Sequence, residues 1–209
     1  TATNTAITLA GTAILNAGAI TFSTPTSTGT QAIDVASGTL TVTGLTTING
    51  GASATSTISA STGTLNFNAG VTIGGTSSNG RITTTDAGIL NLTGTLAGEG
   101  TFSWNAGTTF NTSGTSQIST TLSGGEALPN LNVLSGTTTV NNQVITINGA
   151  TNITGSLVNL TGANAKTFSG LVTINSGGVL NLSTATAPAV NFGAGIVNNS
   201  DATDSFKVG

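Results

Sequence analysis

The segments GTLTVTGLTTI (38–48), GTLNFNAGVTI (63–73) and GILNLTGTL (88–96) repeat one pattern at a spacing of 25 residues. In each, apolar residues alternate with Thr or Asn, a Gly follows, and a second short apolar run begins. With the earlier segment AILNAGAIT (13–21), four leucines share one column of the repeat: Leu15, Leu40, Leu65 and Leu90. Self-similarity at about 20–50 residues is typical of repeat proteins, in which each unit buries its apolar face only against its neighbours.

Period-two alternation of apolar and polar residues continues along the chain and predicts β-strands. Thr, Val and Ile suit strands because their branched side chains pack well on a pleated surface. Asn-Gly and Gly-Gly pairs interrupt the runs, and both residues tolerate the positive φ of sharp corners. No segment has the apolar stripe of an amphipathic helix. We therefore expect an all-β chain.

Two architectures fit these short strands. In a parallel β-solenoid, each period of roughly 25 residues is one coil, and the leucine column stacks inside it with about 4.8 Å between coils. In a β-sandwich, antiparallel strands would pair across turns that recur about every 8–12 residues. The regular period and the Asn-Gly corners favour the solenoid. Irregular spacings in the second half favour the sandwich.

The second half of the chain departs from the 25-residue period. GTFSWNAGTTF (100–110) resembles GTLNFNAGVTI but begins only twelve residues after GILNLTGTL, and VITIN (144–148) and LVTIN (171–175) are 27 residues apart. The stretch TSGTSQISTTLSGGEAL (112–128) has few large apolar residues and precedes Pro129, which disfavours a central strand. We therefore expect a first β-repeat segment (1–111), a loop or linker (112–129) and a second β-repeat segment (130–209). One continuous solenoid is the alternative.

The chain is almost uncharged. Nine of its 209 residues carry charge, or 4%, whereas an ordinary soluble domain has about 25%. They are Asp34, Arg81, Asp86, Glu99, Glu126, Lys166, Asp201, Asp204 and Lys207. Three basic residues give no electrostatic footprint for nucleic acid or for an anionic membrane. Low charge favours association instead, so we expect copies of the chain, or glycans on Thr, Ser and Asn, as partners.

Signals of cellular location are few. The chain has no Cys, so redox compartment cannot be read from cysteine usage, and no apolar run is long enough for a membrane-spanning helix. It starts at Thr1 without Met or an apolar leader, which is typical of a processed secreted protein or of an excised fragment.

Three longer segments carry a resemblance to a known class of proteins: SGTLTVTGLTTINGG (37–51), GTTTVNNQVITINGATNITGS (136–156) and SGLVTINSGGVLNLS (169–183). They resemble the strand repeats of secreted bacterial β-helical surface proteins, the adhesins and extracellular filaments, over nearly the whole chain. The resemblance implies a parallel β-helix outside a bacterial cell, with a role in adhesion, matrix or fibre formation. It implies no catalytic residues.

The residues needed for catalysis are nearly absent. Without His, Cys or Tyr, nucleophilic schemes that depend on an imidazole or a thiol are impossible, as is a zinc site of His or thiolate ligands. Asp34 and Asp86, 52 residues apart, could lie two coils apart as a carboxylate pair of a glycoside hydrolase. Solvated turn aspartates are the favoured interpretation. We predict no enzyme, no catalytic residue and no cofactor.

Three further features are candidate binding sites, for calcium, for a sugar and for ice. The acidic segment NNSDATD (198–204) lacks the Gly and the distal Glu of an EF-hand loop, which favours a polar terminal segment over a calcium site. Phe102 and Trp104 could form a sugar-stacking platform. The match of Trp104 to Phe67 in the repeat favours a position in the core. Thr-x-Thr pairs are typical of ice-binding solenoids, but Asn66 and Asn91 interrupt the Thr column.

Six N-x-S/T sequons are present, at Asn91, Asn111, Asn152, Asn159, Asn181 and Asn198. A sequon marks a glycan acceptor only in a suitable secretory system. Asn91, Asn159 and Asn181 each precede Leu in similar strand contexts, and we expect an asparagine ladder that stacks coil on coil. Plain exposed asparagines are the alternative.

The sequence therefore predicts a structural role. We expect a subunit of an extracellular bacterial filament or surface fibre, which assembles by coil-end stacking or strand addition. The segments expected to join neighbours are AITLAG (6–11) and VNFGAGIV (190–197), and a donated strand from residues 1–10 is an equally valid mode. An adhesin stalk or passenger module, which presents a binding domain or binds glycans, is the alternative.

Overall fold

A computed structural model describes residues 5–25, 28–75, 79–122, 124–141, 143–159, 162–183 and 188–208. Their regular structure is β-strand, with one turn of 3-10 helix at Gly124–Glu126. The strands stack in parallel in about eight coils of about 24 residues each. The prediction of an all-β, parallel β-solenoid is confirmed, and the alternative sandwich of antiparallel strands is wrong.

Contacts divide the chain into two compact units, Thr1–Thr108 and Thr109–Gly209. In chain order, the strands of unit 1 are β1 (Thr5–Thr8), β2 (Ile14–Ala17), β3 (Ile20–Phe22), β4 (Gly29–Val35), β5 (Thr39–Val42), β6 (Thr46–Gly50), β7 (Ala54–Ala60), β8 (Thr64–Phe67), β9 (Val71–Gly75), β10 (Gly80–Thr84), β11 (Ile89–Gly98) and β12 (Thr101–Ser103). They form three faces: β1-β4-β7-β10-β12, β2-β5-β8-β11 and β3-β6-β9-β11. The long strand β11 belongs to two faces, and each coil contributes one strand to each face.

The leucine column exists in unit 1 as the sequence predicts. Leu15 is in register with Leu40, Leu40 with Leu65, and Leu65 with Leu90. The last three leucines are fully buried, because an apolar side chain that alternates inward on parallel strands meets its equivalent one coil away.

The strands of unit 2 are β13 (Thr109–Ser119), β14 (Leu131–Val133), β15 (Thr137–Val140), β16 (Ile145–Ile147), β17 (Thr151–Ile153), β18 (Ser156–Asn159), β19 (Lys166–Phe168), β20 (Val172–Ile174), β21 (Val179–Asn181), β22 (Val190–Phe192), β23 (Ile196–Asn198) and β24 (Phe206–Lys207). Its faces are β13-β14-β17-β20-β23, β13-β15-β18-β21-β24 and β16-β19-β22. All of these pairs are parallel.

The irregular spacings of the second half have a simple cause. One inward column of unit 2 contains Phe110, Leu131, Thr151, Val172 and Ile196, in steps of 21, 20, 21 and 24 residues. On the β16-β19-β22 face, β16 and β19 have three residues each. On the β1-β4-β7-β10-β12 face of unit 1, β4 and β7 have seven residues each. The coil is therefore shorter while the parallel register is kept. VITIN and LVTIN lie on different faces, in β16 and β20, so their 27-residue spacing is not a coil.

The segment expected to be a linker, 112–129, differs from that expectation. Its first part lies in β13, and Leu122 and Leu128 are fully buried and form parallel bridges to Ile145 and Ile147 of β16. The segment looked loop-like because two of its buried positions in β13, Thr112 and Ser116, hold small polar residues, while a third holds Ile118. The buried Oγ1 of Thr112 accepts a hydrogen bond of 2.6 Å from the Thr138 hydroxyl.

Glycine at coil corners permits close stacking. Gly136 has a φ of 66°, in the left-handed region that disfavours other residues. A Cβ atom there would also overlap the carbonyl oxygen of Gly114, one coil below. The corner between β14 and β15 therefore requires glycine.

Candidate functional site

The two aspartates weighed as a catalytic pair lie apart. Asp34, in β4, accepts a hydrogen bond of 3.0 Å from the Ser59 hydroxyl. Ser59 is in register with Asp34, and Thr83 of the next coil is in register with Ser59. Asp86 lies three residues after Thr83, exposed in the turn after β10. The structure therefore does not bring the two carboxylates into one column.

The acidic segment near the end of unit 2 is used in contacts within the protein. Asp201 Oδ1 accepts hydrogen bonds from the backbone N–H of Gly177, at 3.1 Å, and from the Ser176 hydroxyl, at 3.4 Å. Asp204 forms an ion pair of 2.8 Å with Lys207. In the described part of the chain, no group of three or more His, Cys, Asp or Glu residues could hold a metal ion.

Phe102 and Trp104 do not form an exposed platform. Phe102 is buried in β12, in register with Ile82, and its ring stacks on that of Trp104 with centroids 5.5 Å apart. Trp104 itself is half-buried. The match of Trp104 to Phe67 is wrong, because Phe67 lies on another face, in β8.

Asparagine ladders are present, and Asn91 belongs to one as expected, with other partners than Asn159 and Asn181. In unit 1, Asn91 Nδ2 donates to Asn66 Oδ1 at 2.7 Å, and Asn66 Nδ2 donates to the Thr41 hydroxyl at 3.1 Å. In unit 2, Asn132 Nδ2 donates to Asn111 Oδ1 at 2.9 Å, and Asn152 Nδ2 donates to Asn132 Oδ1 at 3.0 Å.

Two other sequon asparagines lie at different register positions. Asn159 and Asn181 are in register with Val140 and Val158, so they do not share a column with each other or with Asn91. Asn181 Oδ1 accepts a hydrogen bond from the backbone N–H of Ser183 instead. Ladder formation therefore depends on equal strand register, which the sequon motif does not report.

The outermost described coil of unit 1 presents exposed strand edges. Strands β1, β2 and β3 pair only with β4, β5 and β6, so among the described residues their other edges have no strand partner. Ile7 is 46% exposed, and Leu15 is only half-buried although the leucines below it in its column are fully buried. We call this surface the β1–β3 edge.

The outermost described coil of unit 2 presents a second edge, the β22–β24 edge. Strands β22, β23 and β24 pair only with β19, β20 and β21 among the described residues. A ladder of rings leads to it: Phe168 stacks on Phe192 with centroids 5.2 Å apart, and Phe192 meets Phe206 edge to face at 5.9 Å. Phe206 is 37% exposed.

Lys166 is a buried cation, although the sequence marks it only as one of nine charged residues. It is 1% exposed, and its Nζ donates hydrogen bonds to the backbone carbonyl oxygens of Gln143, at 2.6 Å, and Asn164, at 2.7 Å. Burial lowers the pKa of Lys166 below its usual value. No sequence signal distinguishes this lysine, because its position between Ile145 and Val190 of the adjacent coils is apparent only from the strand register.

Comparison with known proteins gives the fold no relatives: no family model, no curated protein and no solved structure matches the chain. The class that the structure defines is a parallel β-solenoid. No helix in the described ranges is long and apolar enough to cross a membrane.

Proposed function

We propose that the protein is a structural subunit of an extracellular bacterial filament or surface fibre, and that its copies join through the exposed strand edges of their end coils. The observation that carries this proposal is the β1–β3 edge. On three faces it combines main-chain edges that have no strand partner among the described residues with apolar side chains left partly exposed, such as Ile7.

Edge chemistry supports this proposal. A strand edge with unpaired N–H and C=O groups is a template for pairing with another chain, and natural proteins usually blunt such edges with charge, proline or bulges. Residues 1–33 contain no charged side chain, and β1, β2 and β3 contain no proline. The β1–β3 edge therefore lacks the usual protection against association.

Self-pairing would also continue the internal order of the fold. An added coil would place its strands about 4.8 Å from β1, β2 and β3 and bury apolar residues such as Leu15. The pairing uses main-chain hydrogen bonds on all three faces, together with alternate apolar side chains, as strand addition does in general. In a longer chain, a segment that precedes Thr1 would pair with the same edge. The test must therefore measure association between copies of the chain.

Two lysine substitutions on β2 make that test. Leu15→Lys places a charge at the inward, half-buried position, where an added coil would have to bury it. Ile14→Lys is the matched control, because Ile14 is 67% exposed on the same strand and points outward. We expect concentration-dependent assemblies of the unmodified chain and of Ile14→Lys in sedimentation velocity, and monomers of Leu15→Lys. Equal behaviour of all three proteins would contradict the proposal.

Glycans on outward Thr, Ser or Asn are a further part of the proposal. Such sugars would help to solubilise a surface that carries few charges. A loss of intact mass when protein purified from its native source is deglycosylated would support them, and an unchanged mass would not.

A second candidate function, an adhesin stalk or passenger module, is favoured by one observation. The β22–β24 edge carries polar and charged residues, including the ion pair of Asp204 and Lys207, which suit a terminus that does not polymerise. A stalk segment would remain monomeric at every concentration, so the same sedimentation experiment separates the two candidates.

A further inference from the structure

An inward column of unit 2 ends on a polar residue. Val133, Ile153 and Ile174 occupy successive coils of this column in parallel register, and all three are fully buried. In the outermost described coil, Asn198 of β23 stands in register with Ile174. The aliphatic stack therefore stops one coil before the edge.

Hydrogen bonds hold Asn198 in place. Its Nδ2 donates to the Ser205 hydroxyl at 2.9 Å, and its Oδ1 accepts from the backbone N–H of Ser200 at 3.0 Å. The Ser200 hydroxyl in turn donates to the carbonyl oxygen of Gly178, one coil below, at 2.7 Å, and accepts from the N–H of Ala202 at 3.1 Å. Asn198 is thus part of an ordered polar network.

The corner that follows Asn198 is unusual within unit 2. Equivalent corners occupy 134–136, 154–155 and 175–178, whereas the corner between β23 and β24 spans 199–205. Asp204, in this corner, has a φ of 58° and is the one non-glycine residue with positive φ among the described residues. Strand β24, which follows, has two residues, and its Lys207 is ion-paired to Asp204.

The β1–β3 edge of unit 1 has none of these features. There, the inward column that contains Val42, Phe67 and Leu92 ends on Ala17, an apolar residue. The first charged residue of the chain is Asp34, which lies beyond the outermost described coil. The two edges therefore differ in chemistry.

We infer that the polar corner of the β22–β24 edge, centred on Asn198, is a gatekeeper that weakens the joint between this edge and the β1–β3 edge of a second copy. This inference rests on the proposed function, since it concerns the strength of the same joint. Short edge strands, lysine and inward polar residues are the devices by which natural sheets resist edge-to-edge pairing. An added coil would remove Asn198 from water without offering it a new hydrogen-bond partner, and would face a lysine already engaged with Asp204.

The gatekeeper predicts a polymer whose growth is limited at one end. Restoring the aliphatic column should strengthen the joint, because an inward isoleucine would be buried by the next coil while Asn198 resists burial. The variant is Asn198→Ile. Its matched control is Asn191→Ile, on β22 of the same coil, where the asparagine is exposed and in register with the outward Thr167.

The experiment measures the critical concentration for assembly by sedimentation of unmodified protein, Asn198→Ile and Asn191→Ile. We expect Asn198→Ile to lower the critical concentration by about tenfold, the effect of burying roughly one apolar side chain at the joint. Asn191→Ile should leave it within about twofold of the unmodified value, because its side chain stays outside the joint. Equal lowering by both variants, or no lowering by Asn198→Ile, would overturn the gatekeeper.

The outcomes also separate the gatekeeper from the proposed function. If the unmodified chain assembles and Asn198→Ile does not change the critical concentration, the gatekeeper is wrong and the assembly proposal stands. If only Asn198→Ile assembles, the gatekeeper stands and the filament proposal is wrong for the natural chain. If none of the proteins assembles, both are wrong. Lys207→Val, which removes the ion pair and leaves Asn198 intact, provides a second variant should Asn198→Ile fail to fold, and it should lower the critical concentration in the same direction.

Discussion

The side-chain amide of Asn91 donates a hydrogen bond of 2.7 Å to that of Asn66, the residue that precedes it by one coil. The two are 25 residues apart in sequence, and their strands are in parallel register. The same relation recurs in unit 2, where Asn132 lies between Asn111 and Asn152. The middle residues, Asn66 and Asn132, each act as both donor and acceptor, so the ladders link successive coils outside the apolar interior.

The ladder in unit 2 should contribute measurably to stability. Asn132→Ala removes one bond that Asn132 donates and one that it accepts, each worth about 0.5–1.5 kcal/mol, so the free energy of unfolding should fall by roughly 1–2 kcal/mol at this partly exposed site. Urea denaturation measures the change. As a control, Asn191→Ala at the exposed position on β22 should change it by less than about 0.5 kcal/mol. Equal losses in both variants would argue against a ladder contribution.

Two buried threonines should respond in opposite directions to valine. Thr151 is fully buried, and its hydroxyl has no hydrogen-bond partner in the described part of the structure. Thr151→Val keeps the shape and removes an unsatisfied polar group, so we expect stabilisation by about 1 kcal/mol. Thr138→Val removes the donor of a 2.6 Å bond to the buried Thr112 hydroxyl and should destabilise by about 1–3 kcal/mol. Thermal unfolding of both variants checks this, and destabilisation by Thr151→Val would contradict it.

Lys166 should make stability depend on pH. Burial lowers its pKa in the folded protein below the ordinary value of 10.5. At a pH between the two pKa values, Lys166 is protonated to a greater extent in the unfolded chain than in the folded protein. The cost of burying the charge is fully present below the lowered pKa and disappears as pH rises toward 10.5. The free energy of unfolding of the natural chain, compared with that of Lys166→Met, should therefore rise with pH.

Denaturation of both proteins at about pH 7 and about pH 10 measures this dependence, since the other titrating groups are common to the two. Val140→Ala, a change of a buried aliphatic residue, controls for any general loss of stability and should shift the free energy equally at both pH values. A difference between the natural chain and Lys166→Met that does not vary with pH would show that burial does not perturb Lys166.

The sequence predicts the fold of unit 1 well, for a physical reason. Inward residues of a parallel solenoid meet their own equivalents, so the column of Leu40, Leu65 and Leu90 is visible as a period. Unit 2 is less predictable because Thr112 and Ser116 fill inward positions of β13. Hydrogen bonds offset the cost of burying small polar residues such as Thr112, and the period does not reveal those bonds.

The candidate edges are only partly predictable from the sequence. The segments 6–11 and 190–197 were expected to join neighbours, and the structure places them in outermost described coils of their units. The inward position of Asn198 could not be foreseen, because the alternation of polar and apolar residues looks the same on every face. Its register with Ile174 becomes apparent only when the corners are placed.

Electron microscopy of the purified 209-residue chain, over a concentration series and with sedimentation of the same samples, tests the central claim most directly. We expect unbranched fibres above a critical concentration, which Leu15→Lys abolishes and Ile14→Lys does not. Monodisperse particles of 20.2 kDa at every concentration would contradict self-assembly through the end-coil edges.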